Sequence, residues 1–222
     1  MSAPPPEGPN HYWNRDAVVR EFAELEPPTY WRAFFEQHAG TLRRVLDLGC
    51  GGGRNSVMLG ELGYHVDACD LSEKMVRATL RRLAQLPAGL GEARVIRVDM
   101  LALPYADAAF DAVLANGVLH NVASVEQLAR AVAEIRRALR VGGFLCLNMF
   151  TSARVDPRLT RDAPGDAYRT ADGLDLLLLP TPRICELLEL RGLERTGPVV
   201  EYERELTVGV RSVMRGVFIR RE

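Results

Sequence analysis

The 222-residue chain has no excess of either charge: 28 Lys and Arg stand against 29 Asp and Glu, a net charge of −1. No global field would concentrate it on nucleic acid or an anionic membrane, so neither is expected as a partner. It lacks any apolar run near the roughly 20 residues of a membrane span. Met1-Ser-Ala-Pro-Pro-Pro lacks the basic and apolar regions of a signal peptide. The four cysteines, Cys50, Cys69, Cys146 and Cys185, are far apart and form no C-x-x-C. That spacing argues against a disulfide scaffold and suits a reduced, cytoplasmic protein. Histidines and acids show no ligand spacing, so no metal is expected. There is no internal repeat.

What is present reads as one globular domain with a modest insertion, at 47% hydrophobic and 26% charged residues. Residues 1–10 carry four prolines and are expected to form a mobile tail. Residues 11–40, rich in aromatics, read as a small N-terminal helical cap of two helices separated by Pro27-Pro28. The domain proper spans residues 41–222. There, β-rich runs near 44–48, 64–69, 93–98, 110–115 and 143–149 alternate with helical patterns near 54–62, 73–86 and 125–140, as parallel strands with crossover helices do. Ser124 and Gln127 make a capping box for the last helix, and Gly142-Gly143 is expected to stop it. Residues 150–180 have no clear period and carry turn signals, which marks an insertion or lid. Thr181-Pro182 opens another helix to about Leu190, and the runs near 199–206 and 210–219 are expected to pair antiparallel at the end of the sheet.

The chemistry concentrates in Val45-Leu-Asp-Leu-Gly-Cys-Gly-Gly-Gly-Arg-Asn-Ser56, where a strand enters a glycine cluster and then a helix. Glycines at 49, 51 and 53 permit a tight turn and close approach of a nucleotide-like ligand to the helix N-terminus. A turn with no ligand is the plainer alternative. The dinucleotide pattern G-x-G-x-x-G would need glycine at 54, where this chain has Arg54. The pattern here is D-x-G-x-G-x-G, beginning at Asp47, and from this point the chain resembles the class I S-adenosylmethionine-dependent methyltransferases. Gly-Arg-Asn-Ser at 53–56, with Gly-Tyr-His-Val-Asp-Ala at 63–68, is most similar to their small-molecule, tellurite-resistance-type branch.

The resemblance covers residues 43–150 by motif and 180–222 by topology. It implies a doubly wound α/β fold: a seven-stranded, mostly parallel, Rossmann-like sheet with an antiparallel final strand. It implies S-adenosyl-L-methionine as cofactor, with Asp47, Gly49, Cys50, Gly51, Gly53 and Asn55 of the first motif around it. Asp70 and Leu71 end the second strand, where a carboxylate can accept two hydrogen bonds from a ribose diol. Asp99 can accept from an adenine amine while Met100 and Leu101 cover the ring. Taken singly, Asp70 could merely open a helix and Asp99 a turn. Three acids ending successive strands are harder to dismiss. Asn116, Gly117 and Val118 are implied beside the methionine half.

Methyl transfer from a sulfonium mainly requires that donor and acceptor be positioned and water excluded. A hydroxyl or ammonium acceptor also needs a base, and His120 is the candidate, with structural packing as its alternative. Tyr12, Trp13, His11 and Trp31 are candidates to close over the cofactor or shape an acceptor pocket, with His120 on the acceptor side and Tyr168 and Arg169 as weaker candidates in the lid, although aromatics at helical spacing are more often core. Asn116-Gly-Val-Leu stands where nucleic-acid-modifying members carry Asn-Pro-Pro-Tyr, which argues against methylation of adenine or glutamine amines. The expected function is transfer to a small-molecule acceptor by in-line displacement. The alternative is a non-catalytic module that binds S-adenosylmethionine or S-adenosylhomocysteine, or a partner subunit. An RNA or protein methyltransferase is disfavoured by the missing basic excess, and a nicotinamide oxidoreductase by the glycine spacing and Asp99.

Overall fold

A computed structural model of the chain describes residues 10–87, 91–161, 165–206 and 209–222. Residues 1–9 of the expected tail, 162–164 of the insertion and 207–208 of the final hairpin lie outside these. Three helices, α1 (Asn10–Trp13), α2 (Asp16–Glu24) and α3 (Thr29–Gln37), open the described chain. Pro28, in an extended conformation, caps α3. Trp31 and Phe35, one turn apart on α3, are both buried against Met58, Leu59 and Tyr64. The single turn α1 is an addition to the two helices expected.

The sheet follows from alternating apolar runs and helices: β1 (Arg44–Leu48), α4 (Arg54–Glu61), β2 (His65–Asp70), α5 (Glu73–Leu83), β3 (Ala93–Arg97), β4 (Phe110–Asn116), α6 (Val125–Ala138) and β5 (Leu139–Thr151). These strands pair in parallel. The central ones are buried on both faces, which is why β1 and β4 are mainly apolar and do not alternate with polar residues. After β6 (Ala167–Arg169), β7 (Asp175–Leu177) and α7 (Thr181–Glu189), the chain finishes with β8 (Leu193–Arg195), β9 (Val200–Leu206) and β10 (Gly209–Arg220). The strand order is β3-β2-β1-β4-β5-β10-β8, with β9 also on β10. β10 runs antiparallel to β5, β8 and β9, as the expected final pair requires. The expected fold class, a doubly wound and mostly parallel sheet with antiparallel strands at its end, is therefore correct.

Ser72 caps α5 by accepting the Met75 N–H at 3.2 Å, and Ser124 caps α6 by accepting that of Gln127 at 3.3 Å. Gln127 returns its carbonyl oxygen to the N–H of Ala123, one residue before the cap. One boundary differs from expectation. Gly142-Gly143 does not end α6; the helix stops at Ala138 and the glycines lie inside β5. Leu139 turns extended because it pairs with Phe110 of β4, and a bulge follows before Ala112 meets Phe144. The Arg220 guanidinium takes up carbonyls of the helix end, donating to Arg136 at 2.9 Å and also to Leu139. The aperiodic insertion holds the antiparallel pair β6–β7, whose flanking Leu174, Leu176 and Leu178 are buried. All four cysteines are buried and free. Among the described residues, no helix is long and apolar enough to cross a membrane, and no cluster of His, Cys, Asp and Glu could hold a metal ion.

Candidate active site

The glycine turn is built by the end of β1 meeting the end of β2. Gly49 and Cys50 both donate their N–H to the Cys69 carbonyl, at 2.8 and 2.9 Å. Gly49 has φ +69°, and a Cβ there would lie 2.4 Å from Val118 Cγ2, so only glycine fits against the end of β4. Gly53, at φ +87°, starts α4 from the left-handed region. Its role is to aim the helix, and it does not face the cavity that the turn borders.

Asp70, the last residue of β2, lines that cavity. Its carboxylate accepts the Gly51 N–H at 3.0 Å and the Ser72 N–H at 2.8 Å. Burial raises its pKa, and these backbone donors pull it back. Asp99 also faces the cavity and is exposed, with one oxygen accepting the Leu101 N–H at 2.9 Å. Asp47 lies beneath the turn, fully buried. One oxygen accepts the Ser56 hydroxyl at 2.5 Å and the other has no partner. Burial pushes its pKa up to about 6 against that bond and the charge of Arg54.

The cavity measures about 300 Å³. It sits at the carboxyl ends of the parallel strands, where open α/β sheets bind ligands. Of the residues singled out in the sequence, it brings together Gly49, Cys50, Gly51, Asn55, Asp70, Leu71, Asp99, Met100, Leu101, Asn116, Gly117 and Val118. Trp13 joins them from α1, which is tied down where Ser72 Oγ donates to the Trp13 carbonyl at 3.0 Å.

Other candidates are placed elsewhere. His120 is 3% exposed, stacks on Phe150 at 3.9 Å and accepts the Phe150 N–H on Nδ1 at 3.1 Å. Burial pushes its pKa down to about 3. It is a buried imidazole that does not line the cavity, and the contacts it makes there are packing contacts. Trp31 is buried in the core between α3 and the sheet, so it shapes no pocket. Tyr12 packs edge-on against Trp13, and Tyr168 lies under Arg161 beside the insertion's leucines; neither lines the cavity. Arg169 pairs with Asp175 at 2.8 Å, and the side chain of His11 lies outside the described residues. Residues not anticipated include Phe22, Arg54, Gln127, Leu174 and Asp175, all of which line the cavity. Arg54 had a signal, since it follows the last glycine of the turn. Leu174 and Asp175 had none, because they sit in the aperiodic insertion.

Comparison with known proteins identifies the family to which this fold belongs. A family model described as a methyltransferase domain matches residues 46–147. A protein of Encephalitozoon cuniculi named as a methyltransferase is 32% identical over 181 residues, covering 80% of this chain and 80% of its own length. A demethylmenaquinone methyltransferase of Thermobifida fusca is 38% identical over 148 residues, or 65% of this chain and 60% of that protein. The chain thus spans less than two thirds of that relative. A solved structure of a methyltransferase from Methanosarcina mazei superposes with a TM-score of 0.73 at 20% identity, covering 89% of this chain and all of the other, and shares the fold.

Proposed function

Because this chain belongs to the class I S-adenosylmethionine-dependent methyltransferases, we propose that it transfers a methyl group from S-adenosylmethionine to a small-molecule acceptor by in-line displacement. The observation that carries the reading is the single cavity edge shared by the glycine turn, Asp70, Asp99 and the Asn116-Gly117-Val118 end of β4. The donor set fits that cofactor: the carboxylates of Asp70 and Asp99 among the three that line the cavity, apolar cover from Leu71, Met100 and Leu101, and a volume at the low end of ordinary ligand pockets. When bound, S-adenosylmethionine supplies a methyl group already activated by the positive sulfonium.

The chain's own part is to hold and exclude. Asp70 would take the ribose diol, Asp99 with Met100 and Leu101 the adenine, and the glycine turn with Asn116, Gly117 and Val118 the methionyl half. Residues 11–40 and 150–180 act as cap and lid, supported by Trp13, Leu174 and Asp175 at the cavity wall. With His120 buried and neutral, catalysis rests on positioning, and the acceptor arrives as a nucleophile that needs no protein imidazole. That the Thermobifida relative is named for a small-molecule acceptor supports the same substrate class. Calorimetric titration with S-adenosylhomocysteine tests the reading: micromolar affinity, about 8 kcal/mol, should fall at least tenfold in Asp70→Ala. A folded wild-type protein that binds none refutes it. Binding without turnover across an acceptor panel would favour the non-catalytic module.

A further inference from the structure

Arg54, the first residue of α4, lines the cavity yet makes no hydrogen bond or ion pair among the described residues. Many arginines elsewhere in the fold take chain partners: Arg44 pairs with Asp67, Arg140 with Asp111 and Arg82 with the Leu25 carbonyl. The neighbours of Arg54 explain the exception. Strand β9 alternates Glu201, Tyr202, Glu203, Arg204 and Glu205. Glu201 accepts the hydroxyls of Thr151 and Thr181, and Glu203 pairs with Arg154. The period of two puts Tyr202 and Arg204 together on the opposite face. There Asn148 of β5 donates to the hydroxyls of Tyr30 and Tyr202, at 3.2 and 3.0 Å, and Arg215 lies 3.8 Å from the Tyr30 ring centroid. Asn148 is the register partner of Asn116, which lines the cavity, so this cluster lies on the strand next to the cavity wall.

The cluster is positive and has no carboxylate of its own. The Arg54 guanidinium is held below its ordinary range by burial and then by repulsion from Arg204. Burial pushes the Tyr30 phenol up to about 12, so it stays a neutral hydrogen-bonding group. The nearest acid, Asp47, is sealed under the glycine turn and bonded to Ser56. Arg54 is half-buried and its one attracting acid, Asp47, is already bonded to Ser56, while Arg204 beside it is exposed; an anion relieves the repulsion between two such cations, and planar guanidinium groups match a carboxylate in particular.

We infer that Arg54 and Arg204, beside the Tyr30–Tyr202 phenols and Arg215, form a subsite for a carboxylate carried by the methyl acceptor. The inference rests on the methyltransferase reading only in calling that ligand the acceptor. The test titrates the full chain with sodium benzoate and with its uncharged counterpart benzamide, each with and without saturating S-adenosylhomocysteine. Benzoate should bind at least fivefold tighter than benzamide. R54Q and R204Q should each weaken benzoate at least fivefold, while S-adenosylhomocysteine affinity stays within threefold of wild type and R54K restores part of the loss. Equal binding of the two probes, no benzoate binding, or benzoate binding unchanged in both variants would overturn the inference. So would R54Q losing S-adenosylhomocysteine as strongly as benzoate, because Arg54 would then hold the cofactor. Benzoate discrimination in a protein that fails to bind S-adenosylhomocysteine would uphold the anion subsite and sink the proposed function; the reverse result would do the opposite.

Discussion

Asp47 is the carboxylate whose cost can be worked out. It is fully buried, with one oxygen on Ser56 and the other unpartnered. Its pKa rises from 3.8 to about 6 on folding, which corresponds to about 3 kcal/mol lost from stability once the group is charged. The sign follows from where the proton sits. Between those values the folded protein keeps a proton that the unfolded chain has released, so this contribution falls as pH rises and is fully unfavourable above about 6. Two-state linkage places about 2 of the 3 kcal/mol between pH 4.5 and 7.5. Asp47→Asn keeps the acceptor for Ser56 and removes the charge. The difference in unfolding free energy, variant minus wild type, should therefore rise by about 2 kcal/mol across that range in urea titrations. Any constant cost of the new amide N–H cancels in this comparison. A stability difference flat with pH to within about 0.5 kcal/mol would refute the burial argument.

Two further outcomes follow from close contacts in the same region. Gly49→Ala combines a positive φ with a Cβ 2.4 Å from Val118, and should cost about 3 kcal/mol, partly recovered by adding Val118→Ala; thermal melts of the single and double variants check this, and a wild-type melt for the single variant would contradict the close approach. His120 titrates in the opposite sense to Asp47, because its pKa falls from 6.5 to about 3 on folding. The stability it contributes is complete above pH 6.5 and drains as pH falls, by at most about 1.4 kcal/mol per unit. His120→Gln should flatten that acid slope in denaturant titrations and leave the pH profile of turnover unchanged between pH 6 and 8.

The fold was legible where the physics is local. The turn from Asp47 to Gly53, the acid ending β2 and the cap Ser124 depend on residues within a few positions of one another, and each is formed as read. The helix end at Gly142 was misread because the deciding partner, Phe110 of β4, is distant in sequence. The surroundings of His120 depend on a distant contact in the same way. Its position after β4 pointed toward the ligand, but Phe150 of β5 turns the imidazole into the core, and nothing adjacent to His120 announces that contact.

The two halves of the site differ in the same way. The half assigned to the methyl donor is assembled at the ends of neighbouring strands by short-range turns, so its residues carry their roles in their spacing. The half assigned to the acceptor draws Tyr30 from α3, Arg54 from α4, Asn148 from β5 and Tyr202 with Arg204 from β9. Only the long antiparallel pairing of β10 with both β5 and β9 brings β9 over the sheet. No local pattern in 200–206 distinguishes Arg204 from a solvated strand residue, since its glutamate neighbours are the natural partners of an exposed arginine. Register removes them: Glu201 and Glu203 are engaged on the other face, and Arg204 is left beside Arg54. A chain that shares the glycine turn but differs in that last hairpin would keep the donor half and change the acceptor, so exchanging β9 with a relative's should alter acceptor choice before it alters S-adenosylhomocysteine affinity.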